Sequence, residues 1–135
     1  MSRYQTFGHA KTHLRYHLIF STKYRRKALA GIDNAVIEAF QHTESLSNFR
    51  IHAIGVDQDH IHLVVSFKPN YSLSQIVRRI KQMSTHRLWE TQTPHLRNYY
   101  WGNKIGKLWT GGYFAETIGP VSENKVLDYV TNQGH

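Results

Sequence analysis

Two runs of alternating residues, FRIHAIGV at 49–56 and HIHLVVSF at 60–67, are separated only by the polar tripeptide DQD. A connection that short can join only antiparallel neighbours, because a parallel pair needs a crossover of about a dozen residues or more. The chain is therefore expected to contain a hairpin around which everything else must be arranged. Along its second strand, residues two apart share a face, so His60 and His62 lie side by side while Ile61, Leu63 and Val65 point the other way. One face of this sheet is core and the other carries imidazoles.

The flanking sequence supplies the remaining elements. HLRYHLIFST at 13–22 reads as a first strand, closed by the basic turn KYRRK at 23–27. From Asp33 to about Ser47, the apolar positions Val36, Ile37, Phe40 and Leu46 fit a helix with a solvated back. After the hairpin, Pro69 and Asn70 break the chain, and Ser72 with Gln75 forms a capping box. The helix it starts gathers Leu73, Ile76, Val77, Ile80 and Met83 on one face and turns Arg78, Arg79 and Lys81 elsewhere. Residues 90–112 are too polar and Gly-rich for regular structure and unusually long for an idle loop. YFAETIG at 113–119 reads as a last strand and VSENKVLDYVTNQ at 121–133 as a closing helix capped by Ser122. The order β-α-β-β-α-β-α predicts an α+β, ferredoxin-like (split β-α-β) antiparallel sheet with helices on one face and one further helix. Function does not follow from that superfold, which carries many.

The chain has 135 residues and no cysteine, which excludes disulfides, thiolate metal sites and cysteine nucleophiles. A single domain over residues 1–135 is expected, with about 1–11 disordered. Its N-terminus lacks the apolar core of a signal peptide, and no apolar run approaches the ~20 residues that span a bilayer. A soluble, cytoplasmic protein without membrane contact is the expectation. The formal net charge of +8 favours a polyanionic partner.

Ten histidines in such a chain yield about 0.7 His-x-His pairs by chance. Spacing alone therefore favours two histidines on a solvated face, although two imidazoles ~6–7 Å apart on a strand can also converge on one cation at roughly 2 Å from each. A hard divalent ion would want oxygen donors as well, and Asp57, Asp59 and the distant Gln133 are the candidates. The two aspartates are better explained by the hairpin turn. On the final helix, Tyr129 and Gln133 are four apart and flank the stripe of Val126 and Val130. A tyrosine there is ordinarily a core residue with its hydroxyl satisfied.

HIH on a sheet strand, STKYRR after the first strand, LWTGGYFAETIG and a late YVTNQ together resemble the single-tyrosine HUH transposases of the insertion-sequence 200/605 group, from about residue 12 to the end. The resemblance implies a homodimeric DNA transposase that cuts and rejoins single-stranded DNA at element ends and recognises imperfect hairpins there. It implies that His60, His62 and Gln133 ligate Mg²⁺ or Mn²⁺, that Tyr129 is the nucleophile, and that the tyrosine helix can complete the partner subunit's site in trans. Relatives often have proline where this chain has Gln58, and usually continue beyond the position of His135, so the helix carrying Gln133 is expected to be clipped here. Enzymes tied to repeated extragenic palindromes share this fold and site.

On that reading, Lys23, Arg25, Arg26, Lys27, Arg78, Arg79 and Lys81 are expected to track a DNA backbone. Tyr99, Tyr100, Trp101 and Trp109, interleaved with Arg97, Lys104 and Lys107, suit stacking on unpaired bases, with Trp109 the one expected to pack instead. The rivals are an RRM-type binder without chemistry, a domesticated relative that binds hairpins without cutting, and a metal hydrolase. The first is disfavoured because His60, His62 and Val64 stand where an RRM carries aromatics.

Overall fold

The computed structural model describes residues 15–119 and 123–132. Its strands are β1 (Arg15–Ser21), β2 (Phe49–Val56), β3 (His60–Phe67) and β4 (Phe114–Ile118). Its helices are α1 (Asp33–Ser45), α2 (Leu73–Thr91), the short α3 (Thr93–Leu96) and α4 (Glu123–Asn132). The strands form one sheet in the order β2-β3-β1-β4, antiparallel at every junction. This is the expected ferredoxin-like arrangement. Among the described residues no helix is long and apolar enough to cross a membrane.

The period of two divides the sheet cleanly. Leu18 and Phe20 of β1 and Ile61, Leu63 and Val65 of β3 face the main core, where they meet Val36, Ala39 and Phe40 of α1 and Ile76, Val77, Ile80 and Leu88 of α2. The capping box at the start of α2 is formed in both directions, Gln75 N–H donating to Ser72 Oγ and Ser72 N–H to Gln75 Oε1. Such a cap contributes about 1 kcal/mol. On the opposite face Ala53 and Val64 meet Val130, with Ile118 and Leu127 at the margin. Among the described residues, helix α4 is thus the one helix on the histidine-bearing face, across the sheet from α1 and α2.

Three expectations need correction. α1 ends at Ser45, and Leu46 is 55% exposed rather than part of the apolar face. The buried stripe of α2 runs on to Ser84 and Leu88, because the helix continues to Thr91. Residues 90–112 are more ordered than their polarity suggested: Pro94 in the first turn starts α3, buried Leu96 anchors it, and a 3₁₀ turn follows at Gly102–Lys104. The segment is then tied to the sheet by a bridge between Thr22 and Trp109. Residues 1–11, Ser122 and Gln133 lie outside the described residues.

Candidate active site

His62 sits on β3 opposite Ile19 of β1, and His17 is opposite Val64. That register makes the two histidines diagonal neighbours on one face. His17 Nε2 and His62 Nδ1 are 3.0 Å apart, and the rings stack with centroids at 5.2 Å. On the other side His17 is paired with Glu116 of β4, and its Nδ1 makes a long contact of 3.4 Å with Glu116 Oε1. If the carboxylate accepts from His17 Nδ1–H, His17 Nε2 keeps a lone pair to accept His62 Nδ1–H. His62 Nε2 is then left with its own lone pair free of this chain of contacts.

His60 is treated alike. Its Nδ1 is 2.8 Å from Asp59 Oδ1, while Nε2 stands 3.8 Å from Asp57 Oδ2. The two rings meet edge to face with centroids 5.1 Å apart. Burial first, then the neighbouring His17 and His60, pull His62 down to about 4, with Asp57 opposing. It is a neutral imidazole at neutral pH. Asp59 is held below the usual carboxylate range, chiefly by its hydrogen bond to His60 and further by Arg25, against the effect of burial.

These contacts test the sequence reading of the aspartates. Asp57 does serve the turn, its Oδ1 accepting the backbone N–H of Gln58 at 2.7 Å. Asp59 does something else: it joins Arg25, 3.2 Å from its Oδ2, to the ring of His60.

Tyr129 projects from α4 onto the same face. Its ring lies edge-on to His62 at 5.4 Å and to His17 at 6.4 Å, held there because the adjacent Val130 is fully buried against the sheet. The tyrosine itself is 57% exposed, so it is not the core residue that its neighbourhood in sequence suggested. The structure therefore brings His60, His62 and Tyr129 of one chain together, and adds His17 and Glu116.

Two neighbouring imidazoles whose Nδ1 atoms are each engaged by another side chain match how metal-binding histidines are held. Among the described residues no group of three or more His, Asp or Glu side chains is poised to hold a metal ion. The chemistry of the histidine pair fits a divalent cation, and Gln133 lies outside the described residues.

The basic residues divide. Lys81 donates to the carbonyls of Thr110 and Gly112, both at 2.8 Å, and burial lowers its ammonium's pKa; it braces a loop. Arg79 is turned to Ser47 Oγ at 2.7 Å and the Leu46 carbonyl. Arg25, Lys27, Arg78, Arg97 and Lys107 are exposed, and Lys23, Arg26 and Lys104 half-buried. Of the aromatic candidates, Tyr100 is buried, its hydroxyl donating to the Lys23 carbonyl at 2.8 Å, and Trp109 is buried with its indole N–H on Ser84 Oγ at 3.0 Å. Tyr99 is half-buried, and Trp101 is 55% exposed.

Comparison with known proteins places this geometry in context. Residues 10–133 match the family model described as "Transposase IS200 like". The transposase for insertion sequence element IS200 of Salmonella typhimurium is 29% identical over 130 residues, covering 96% of this chain and 82% of that protein. The ISDra2 transposase TnpA of Deinococcus radiodurans is 26% identical over 121 residues, covering 89% of this chain and 84% of the relative. A crystal structure of a candidate transposase from Deinococcus radiodurans superposes with a TM-score of 0.70 at 24% identity, over 99% of this chain and 97% of that one. A REP-associated tyrosine transposase bound to a REP hairpin does so with a TM-score of 0.61 at 18% identity, over 96% and 70%.

Proposed function

Because the chain belongs to the IS200-like transposase family, we propose that it cuts and rejoins single-stranded DNA at insertion-sequence ends through a 5′-phosphotyrosine formed on Tyr129. The observation that carries this reading is the half-exposed Tyr129 ring standing 5.4 Å from His62, across from a histidine pair whose Nδ1 atoms are already engaged. Recognition of a DNA hairpin beside the cut is part of the proposal, supported by the hairpin bound to a neighbour of the same fold and by the net charge of +8. A homodimer in cytoplasm is the expected working form.

A phenol with a pKa near 10 is only about 0.1% ionised at pH 7, so the hydroxyl of Tyr129 needs help. His60 and His62 would hold Mg²⁺ or Mn²⁺ through their Nε2 atoms, with Gln133 as a further donor. Such an ion, when bound, polarises the scissile phosphate and offsets the charge that builds on it. Tyr129 Oη then attacks phosphorus and gives up its proton; the bond from phosphorus to the 3′-oxygen breaks, and that oxygen leaves as a 3′-hydroxyl. One phosphodiester is exchanged for another, so the 3′-hydroxyl of a second strand can reverse the step without ATP. His17 and Glu116 touch none of the reacting atoms in this scheme: they fix the tautomer and tilt of His62.

The test is incubation of the protein with Mn²⁺ and a 3′-labelled single strand from an element end, followed by a denaturing protein gel. A labelled band at the mass of protein plus DNA, absent when EDTA is added, is expected. Cut product with no adduct would overturn the phosphotyrosine reading, and a band that forms equally well in EDTA would overturn the role given to the metal ion.

The outer contacts give a graded prediction. His17→Ala is expected to weaken Mn²⁺ binding about 10- to 100-fold, the usual cost of losing the group behind a ligating histidine, and His17→Gln, whose amide can still meet His62 Nδ1, to recover part of it. Titration of Mn²⁺ by its electron paramagnetic resonance signal reads this without any DNA. Unchanged affinity in His17→Ala would remove the positioning role.

A further inference from the structure

We propose that Tyr24 and Trp101 form a stacking platform for an unpaired base of single-stranded DNA, alongside the His60–His62 site. This rests on the DNA-processing reading above and adds a place where the strand is gripped.

The turn after β1 is unusual in backbone. Tyr24 and Arg25 are consecutive non-glycine residues at φ 62° and 52°, a left-handed conformation that costs free energy and persists only where the surroundings impose it. Here Thr22 imposes it from one side: its N–H donates to the Asp59 carbonyl at 2.9 Å and its hydroxyl to the Arg26 carbonyl at 2.6 Å. The outcome is a tyrosine ring turned outward and 59% exposed. Trp101, arriving from the loop between α3 and β4, is 55% exposed beside it.

Arg26 joins the two. Its guanidinium lies 5.0 Å from the Tyr24 ring centroid and 4.9 Å from that of Trp101, with Tyr100 behind at 5.6 Å, and it donates to the Tyr99 carbonyl. Lys104 and Lys23 stand 5.8 and 6.0 Å from the Tyr24 ring. Exposed aromatic faces among fixed cations are what binding of an unpaired strand requires, since the rings take bases and the cations take the phosphates between them. A duplex, whose bases are already stacked on each other, offers no such face.

Packing does not explain these two rings as it explains their neighbours. Tyr100 and Trp109 are buried and their polar atoms are satisfied within the protein; Tyr24 and Trp101 are mostly in water. Position completes the argument. Arg25, next in the chain after Tyr24, has its Nη2 3.2 Å from Asp59 Oδ2, and Asp59 Oδ1 is 2.8 Å from His60 Nδ1, so two side chains, Arg25 and Asp59, link the platform's turn to the first histidine of the site.

The experiment compares binding of fluorescein-labelled oligo(dT) with binding of a strand of equal length made of abasic sugar-phosphate, at one fixed salt concentration. Tyr24→Ala and Trp101→Ala are each expected to weaken oligo(dT) binding on the order of tenfold and to leave the abasic strand unaffected. Tyr24→Phe and Trp101→Phe, which keep a ring, should remain near wild type and guard against a folding effect. Equal loss on both strands, or no loss on oligo(dT), overturns the platform while leaving the transposase reading intact. Wild-type protein that binds neither strand also overturns the platform, and the adduct gel on an element-end strand then decides the transposase reading separately.

Discussion

Tyr129→Phe is expected to abolish the covalent protein–DNA adduct and strand cutting, by on the order of a thousandfold or more, while hairpin binding stays within about twofold. The separation follows from what the residue touches. Helix α4 is anchored by Val130 and Leu127 against Ala53, Val64 and Ile118, and the edge-on contacts of Tyr129 with His62 and His17 belong to the ring. Phenylalanine keeps that ring and removes only the oxygen that would attack phosphorus. A 3′-labelled strand on a denaturing gel measures the adduct, and retardation of a hairpin on a native gel measures binding. Cutting at the wild-type rate in Tyr129→Phe would take the nucleophile's role from Tyr129.

How much of this was readable beforehand depends on the range of the interaction. Alternation in HIHLVVSF is local, so the shared face of His60 and His62 could be written down from β3 alone, and so could the capping box that begins α2, since Ser72 and Gln75 meet across one turn. His17 was not legible as part of the site, although it alternates with Tyr16 and Leu18 and so belongs to the polar face of β1. Its value comes from the pairing of β1 with β3 at a register that sets His17 diagonal to His62, and from β4 delivering Glu116 on the other side. Those partners are separated from it by 45 and 99 positions. Asp59 was misread for the same reason: a turn explains an aspartate locally, and only the fold brings Arg25 to its second oxygen. Tyr24 carried no signal, because its exposure stems from a backbone conformation that the letters KYRRK do not announce.

His62→Ala is expected to be the most damaging change on the sheet face, because it removes a proposed ligand and leaves another histidine stranded. His62 is 3% exposed and His17 is 6% exposed, and each supplies the other's hydrogen bond. Alanine at 62 would leave His17 Nε2 without its partner, which costs about 1–3 kcal/mol of stability, while the main core on the far side of the sheet keeps the fold. Mn²⁺ binding should disappear, and adduct formation should fall on the order of a thousandfold or more with it. That pattern is distinct from Tyr129→Phe, which should bind Mn²⁺ normally and fail only at the covalent step. Thermal unfolding, Mn²⁺ titration and the adduct gel on the two variants therefore assign the roles separately. If His62→Ala bound Mn²⁺ like the wild type, the cation would have to be held elsewhere, and the orientation of His62 by His17 and Glu116 would need another purpose.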